Sequence, residues 1–310
     1  MNIRDLQYLV ALADHGHFGR AAEASFVSQP TLSTQIRKLE TELGVELVER
    51  RRGGAMLTDA GARVVERARV MLAEVDNIDA IAQQARDPES GRLRLGLFPT
   101  IAPYLLPHVV GHLHARFPKL ELLLVEEKTE TLLDRLLDGQ IDAAVLAQPV
   151  HDAGLVHDEL FTEEFVLAVP VDHDLAARRS VAVSALAGSD VLLLEEGHCL
   201  RDQALSVCRM AEAAEHRGFR ATSLETLRQM VAAGVGITLL PRLAVAPPVP
   251  EAPSIALVEF EPPVPRRSLA MFWRPTHPAH DLLPLIAAEL RRVPGALVEP
   301  AHSRSGAPPT

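Results

Sequence analysis

Cysteine is almost missing from this chain, with two residues among 310. So few exclude a disulfide framework and leave three readings of the pair: inert core thiols, part of a metal site, or redox chemistry. No apolar run approaches the ~20 residues a membrane helix requires. The N-terminus has Arg4 and Asp5 ahead of a short amphipathic stretch, with no small-residue cleavage site, and does not read as a signal peptide. A cytoplasmic protein without a membrane partner is the expectation. Positive charge is not in excess either: 31 Lys and Arg face 41 Asp and Glu, for a net charge of −10. That balance excludes blanket electrostatic binding of nucleic acid but leaves room for a local basic surface. Low-complexity tracts are few, and 47% hydrophobic against 23% charged residues support packed cores. The length exceeds one ordinary domain, so two or three parts are expected.

What is present changes texture along the chain. Leu6, Leu9, Val10 and Ala13 recur at helical spacing, as do Ala21, Ala22, Ala24 and Ser25. Ser28 is suited to cap a further helix whose first turn tolerates Pro30. That helix turns Leu32, Ile36, Leu39 and Leu43 inward, shows Thr31, Ser33, Thr34, Gln35, Arg37 and Lys38 outward, and ends at Gly44. A hairpin comes next with Arg50-Arg51-Arg52-Gly53-Gly54 at its tip. Over 58–86, Val64, Ala68, Met71, Val75, Ile78, Ala82 and Ala85 form an a/d seam sustained for three heptads. A long helix with so narrow a stripe finds its simplest partner in a second copy. Asp87-Pro88-Glu89-Ser90-Gly91 reads as a linker. Beyond it the patterning predicts strands over 93–98, 120–126, 141–147, 165–170, 191–194, 237–240 and 269–272, with helices over 101–117 and 129–138. Such βαβ order predicts parallel sheets covered by helices. The 246–253 run is a proline-rich loop, the 301–310 tail reads as disordered, and no repeat is present.

Two short helices, a tight turn and a polar-faced second helix suit a helix-turn-helix, although any three-helix bundle imitates the pattern. Thr31, Ser33, Gln35 and Arg37 have the reach for base edges, and Arg50, Arg51 and Arg52 the charge for phosphates. Residues 1–60 hold 7 Lys and Arg against 8 Asp and Glu, so clustering rather than net charge would do the binding.

The stretches Arg20-Ala21-Ala22-Glu23-Ala24, Ser28-Gln29-Pro30-Thr31-Leu32-Ser33, Ile36-Arg37-Lys38-Leu39-Glu40, Leu43-Gly44 and Leu57-Thr58-Asp59-Ala60-Gly61 resemble the winged helix-turn-helix of LysR-type transcriptional regulators. Leu136-Leu137-Asp138-Gly139-Gln140-Ile141-Asp142-Ala143 and the run from Val231 to Pro241 extend the resemblance to essentially the whole chain. It implies an α plus α/β protein: a DNA-binding domain over 1–58, a dimerising linker helix over 59–87, and a two-lobed effector domain like periplasmic binding proteins. Lobe I would span 91–161 and 268–300, and lobe II 162–267. Double-stranded promoter DNA, a homo-oligomer (a dimer of dimers) and RNA polymerase are the implied partners, with Ser28, Gln29 and Pro30 joining the DNA face. No cofactor, resident metal or enzymatic activity is implied.

Within that family, Gly197-His198-Cys199-Leu200-Arg201-Asp202-Gln203 together with Cys208 resembles the redox segment of members that sense hydrogen peroxide. The resemblance implies Cys199 as the peroxide-reactive sulfur, Cys208 as its resolving partner in a disulfide, and a pocket of Thr100, Thr129, His198 and Arg266. The residues fit in part. His198 and Arg201 are cationic candidates beside Cys199 that would favour the thiolate, and Asp202 could anchor the loop by an ion pair. Thr100 and Thr129 also read as helix caps, and Arg266 as a surface charge beside Arg267. A zinc site from His198, Cys199 and Cys208 lacks a clear fourth ligand, and His15, His17, His108, His112 and His114 read as ordinary helix and turn residues. If the segment from 200 to 208 is helical when reduced, nine steps hold the sulfurs' residues ~13 Å apart. A disulfide needs ~7 Å, so bonding would require the helix to melt. Two rivals remain: a LysR-type regulator that senses a metabolite between the lobes, and a thiol peroxidase, which would need no DNA-reading head.

Overall fold

The structure is a computed structural model that describes residues 1–51, 53–84, 86–150 and 154–300. Arg52, Ala85 of the seam and the tail expected to be disordered lie outside the described residues. Contacts divide the chain into two units, Met1–Ala82 with Leu137–Gln140, and Gln83–Leu136 with the chain from Ile141 onward.

In the first unit, local chemistry sets each boundary. Helix α1 (Ile3–His15) begins at a reciprocal cap between Asn2 and Asp5 and ends at Gly16 in the left-handed conformation. Helix α2 (Phe18–Ala24) is capped by His17, whose Nδ1 accepts the Gly19 N–H at 3.0 Å. Helix α3 (Gln29–Leu43) starts at Ser28, which accepts the Thr31 N–H, and stops at Gly44. Leu9, Leu12, Ala21, Leu32, Ile36 and Leu39 make the shared core. The hairpin of β1 (Val48–Arg51) and β2 (Gly54–Leu57) is held to α3 because Glu40 Oε1 accepts the N–H groups of Leu47 and Val48. Arg51 pairs with Gly54 and Arg50 with Ala55, so the two arginines close the hairpin at its tip as expected, from the end of β1. Helix α4 (Asp59–Gln84) starts where Thr58 Oγ1 accepts the Gly61 N–H. A Cβ on Gly61 would stand 2.0 Å from the Leu47 carbonyl oxygen, so only glycine lets α4 approach the wing this closely. Along α4 Val65, Ala68 and Ala73 are buried, whereas Met71, Ile78 and Ile81 are exposed in the single chain.

The second unit is mixed α/β. Strands β3 (Gly91–Leu97), β4 (Leu120–Glu126) and β5 (Ala143–Ala147) pair in parallel in the order β4-β3-β5, with α5 (Ala102–Arg116) and α6 (Thr129–Leu137) as their crossovers. All five residues of β5 are buried, as a covered parallel strand requires. Past β5 the chain departs from the expected all-parallel order. The long β6 (Val156–Pro170), the two-residue β7 (Ser180–Val181), the parallel pair β8 (Asp190–Leu194) and β9 (Ala214–Ala221) around α7 (Cys199–Ala211), then α8 (Leu224–Ala232), β10 (Thr238–Pro241), β11 (Ile255–Phe260), β12 (Arg266–Trp273), α9 (Leu283–Leu290) and β13 (Glu299–Pro300) complete the chain. Strand β12 runs antiparallel to both β5 and β6, and β10 and β11 pair antiparallel with the second half of β6. The expected lobe boundaries at 161/162 and 267/268 thus fall inside two continuous strands, β6 and β12, which pair with each other in one nine-stranded sheet. Among the described residues, no helix is long and apolar enough to cross a membrane.

Candidate functional site

Two sets of residues carry chemistry. On α3, Ser28, Gln29, Pro30, Thr31 and Arg37 are exposed and Ser33 and Gln35 half-buried, one polar face opposite Leu32, Ile36 and Leu39. Arg50 lies against the same helix, donating to Ser33 Oγ at 3.0 Å while its guanidinium carbon sits 4.7 Å from the Phe18 ring centre. Arg51 is exposed and pairs with Glu49 at 3.1 Å. Short polar side chains flanked by cations suit a groove face with phosphates at its rim.

The second set surrounds α7. Both cysteines are free and stand on this one continuous helix, so at ~1.5 Å per residue their Cα atoms are ~13 Å apart. Helical periodicity gives them different settings. Cys208 shares the buried face with Leu200, Ala204, Val207 and Ala211 and is 3% exposed, while Cys199 in the first turn is half-buried. Burial pushes the Cys199 thiol up, against the opposing pull of the Arg267 charge, the Thr129 hydroxyl and the Leu200 N–H. Burial pushes the Cys208 thiol up as well.

The cation that reaches Cys199 is not one of those the sequence suggested. Arg266 is exposed and pairs with Glu299 at 3.0 Å. Its neighbour Arg267 points the other way, as consecutive strand residues must, and is buried between the rings of Phe98 and Phe165 at 5.4 and 6.0 Å. Arg267 donates to Glu163 Oε2 at 2.8 Å, to Thr100 Oγ1 at 3.1 Å and to the Thr100 carbonyl at 3.0 Å. Glu163, equally buried, accepts the Leu243 N–H at 2.8 Å. Arg201 turns away from the sulfur to make a two-pronged bond to Glu215, 2.9 Å on each arm, and a third bond to the Leu194 carbonyl. His198 is buried, and burial reinforced by the Lys128 charge holds its pKa below the usual range against the pull of Glu195, so the imidazole is neutral at neutral pH. Asp202 is exposed on the outer face of α7 and, among the described residues, makes no ion pair of the kind expected for it.

The remaining expected residues do converge. Thr100 is 2% exposed. Thr129 opens α6, and its buried hydroxyl, which bonds no other side chain or backbone group among the described residues, acts on the Cys199 sulfur. Beside Thr100 and His198 opens a cleft of about 790 Å³, walled by Pro99, Tyr104, Arg228 and the 248–254 run. The proline-rich loop is therefore a cleft wall, fastened by an Arg228 bond to the Pro250 carbonyl at 3.0 Å. Sequence reasoning missed Arg267 and Glu163; two charged residues on strands with buried neighbours were the signal available. Among the described residues no group of three His, Cys, Asp or Glu side chains is placed to hold a metal.

Comparisons with known proteins identify the family of the chain. Residues 3–62 match the model of bacterial regulatory helix-turn-helix proteins of the lysR family, and residues 86–294 that of the LysR substrate binding domain. The chain is 50% identical to the hydrogen peroxide-inducible genes activator of Pectobacterium carotovorum subsp. carotovorum, over 94% of this chain and 96% of that one. It is 49% identical to the DNA-binding transcriptional dual regulator OxyR of Escherichia coli strain K12, over 94% and 95% of the two chains. A full-length OxyR variant from Pseudomonas aeruginosa superposes with a TM-score of 0.75 at 37% identity, covering 94% of this chain and 95% of that one.

Proposed function

The chain belongs to the LysR family of DNA-binding transcriptional regulators, and from that premise we propose that it reports hydrogen peroxide to promoter DNA through reversible oxidation of Cys199 and Cys208. One observation carries the reading: a half-buried thiol faces a buried guanidinium and a buried hydroxyl, while the second thiol waits in the core of the same helix. Peroxide entering beside Cys199 meets its nucleophile and the donors for its leaving group together. The sulfur attacks one oxygen, the S–O bond forms as the O–O bond breaks, and the thiol proton ends on the departing hydroxide as water. Sulfur is oxidised by two electrons and peroxide reduced by two. Arg267 and Thr129 are placed to stabilise the charge that develops on the leaving oxygen. Thr100 holds Arg267, and neutral His198 offers a ring nitrogen without a partner.

Cys208 then attacks the sulfenic sulfur, the S–O bond breaks, and a second water leaves. The separation of ~13 Å along the helix forbids this step until α7 unwinds. Closing so short a loop constrains the segment by about 2–3 kcal/mol, enough to bias a two-state element. The α3 face with Arg37, Arg50 and Arg51 is assigned to DNA. The exposed Met71, Ile78 and Ile81 of α4 support pairing with a second copy, dimers of dimers and contact with RNA polymerase completing the reading.

Counting free thiols by mass after one equivalent of peroxide tests this directly. The wild type loses both thiols, and Cys199→Ser leaves Cys208 free and ends the DNA-level response. A Cys199→Ser protein that responds fully sinks the proposal. The 790 Å³ cleft favours a second reading, a metabolite sensor with incidental thiols; unchanged thiols with a response to a cleft-filling small molecule would select it.

A further inference from the structure

Lys128 immediately precedes Thr129, and Glu195 and Glu196 precede the Gly197-His198-Cys199 turn. These two stretches, 67 positions apart, are joined by one side chain. Lys128 Nζ donates to Glu195 Oε1 at 2.6 Å and to the Glu196 carbonyl at 3.1 Å. The Lys128 carbonyl meanwhile accepts the Leu132 N–H at 3.0 Å, so the residue also forms the first turn of α6. Gly197 completes the fit. Its φ of 88° belongs to glycine, and a Cβ there would stand 3.1 Å from Lys128 Cδ. The lysine stem lies across the turn, and its head bonds the turn's entrance.

We infer that Lys128 and Glu195 form a positioning clasp for the peroxide reaction, fixing the Thr129 hydroxyl and the N-terminus of α6 relative to Cys199. The inference rests on the peroxide reading above. Neither side chain touches the sulfur, and both act through what they hold. The contact sets how two independently folded turns approach each other, and reaction rates fall steeply when donor and nucleophile separate by a fraction of an ångström. Charge adds a second effect. Lys128 helps to hold the His198 pKa down, while Glu195 opposes it. Arg267, Asp202, the Thr129 hydroxyl and the Leu200 N–H are the groups acting on the sulfur, and none of them belongs to the clasp.

Both side chains are more than one-third exposed, so salt should weaken the clasp without unfolding the protein. The test is the second-order rate constant of peroxide with the Cys199 thiol in the full-length protein, measured by quenched mass analysis across pH and ionic strength. Lys128→Met keeps the stem and loses the bonds; its rate constant is expected to fall at least about tenfold and its salt dependence to vanish. The Lys128→Glu, Glu195→Lys double variant restores the pair in reverse. It is expected to recover most of the rate at neutral pH but to titrate at a different pH, because the charge nearest His198 has changed sign. A loss of packing alone would not give that split between rate and pH profile. A Lys128→Met rate and salt profile equal to wild type overturns the clasp and leaves the peroxide reading intact. A wild-type protein whose Cys199 ignores peroxide overturns that reading instead.

Discussion

The two ends of α7 are held by opposite kinds of chemistry. At the N-terminal end the fixings are directional. Arg201 makes three bonds of 2.9 Å to Glu215 and the Leu194 carbonyl, and the turn before it is tied to Lys128. At the C-terminal end the side-chain fixings are apolar, and the backbone closure, with the Ala213 N–H donating to the Cys208 carbonyl at 3.0 Å, passes through a strained residue. Val207, Cys208 and Ala211 rely on burial, and the helix ends at Glu212 with φ 54°, a left-handed position that suits glycine and costs other residues about 1–2 kcal/mol. In the proposed mechanism α7 unwinds from its strained end, the end that carries Cys208.

Substitutions along α7 put this asymmetry at risk. The largest effect is expected at Cys208. Cys208→Ala should leave Cys199 reactive and halt it at a sulfenic acid that a sulfenic-acid-selective reagent traps and mass analysis counts, whereas the wild type passes on to the disulfide. A variant whose sulfenic acid is no longer-lived than the wild type's would show that Cys208 is not the group that consumes it. Next comes the pinned end. Arg201→Ala removes three charged hydrogen bonds, leaving Glu215 only its longer contact with Arg220 at 3.6 Å, so denaturant unfolding of the reduced protein should show a loss of about 2 kcal/mol. If its stability matches wild type, the directional fixing is ornamental. The smallest effect is at the strained end. Glu212→Gly relieves the left-handed strain by about 1 kcal/mol, which stabilises the helical, reduced form and makes the disulfide roughly fivefold easier to reduce in a thiol redox buffer. A shift toward the disulfide would place the strain elsewhere.

Much of this is legible in the sequence, and the exceptions have physical reasons. The three head helices and the long α4 follow from caps, glycines and period, whereas α7 enters only as a condition on 200–208, since it has neither a side-chain cap at its start nor a glycine at its end. The parallel β3-β4-β5 core follows from apolar runs, with ends shifted by one or two residues. Strands β9 and β11 leave no such signal. In β9 the run Ala214-Glu215-His216-Arg217-Gly218-Phe219 has no alternation, and β11 comes after a proline-rich loop that masks its start. The antiparallel insertion of β12 is invisible because strand order is a tertiary property. The substitution of Arg267 for Arg266 has the same origin. Side chains alternate along β12, but both of its faces are buried beyond Ser268 and its pairing shifts between Leu269 and Ala270, so the pattern of apolar residues cannot say which arginine turns inward. The expected influence of Arg201 on Cys199 fails because helical periodicity carries it round to Glu215.

The depth of Cys208 has a consequence in time. In the proposed mechanism, oxidation at Cys199 and reshaping of the chain are separate events, divided by the time the helix takes to open. A brief exposure to oxidant would mark the outer sulfur alone, and two small thiols arriving in that interval, the first forming a mixed disulfide with loss of water and the second releasing the Cys199 thiol, would erase the mark before the fold has changed. Only a stimulus that outlasts the opening is converted into a new conformation, so the packing around one inner side chain works as a filter against transient noise.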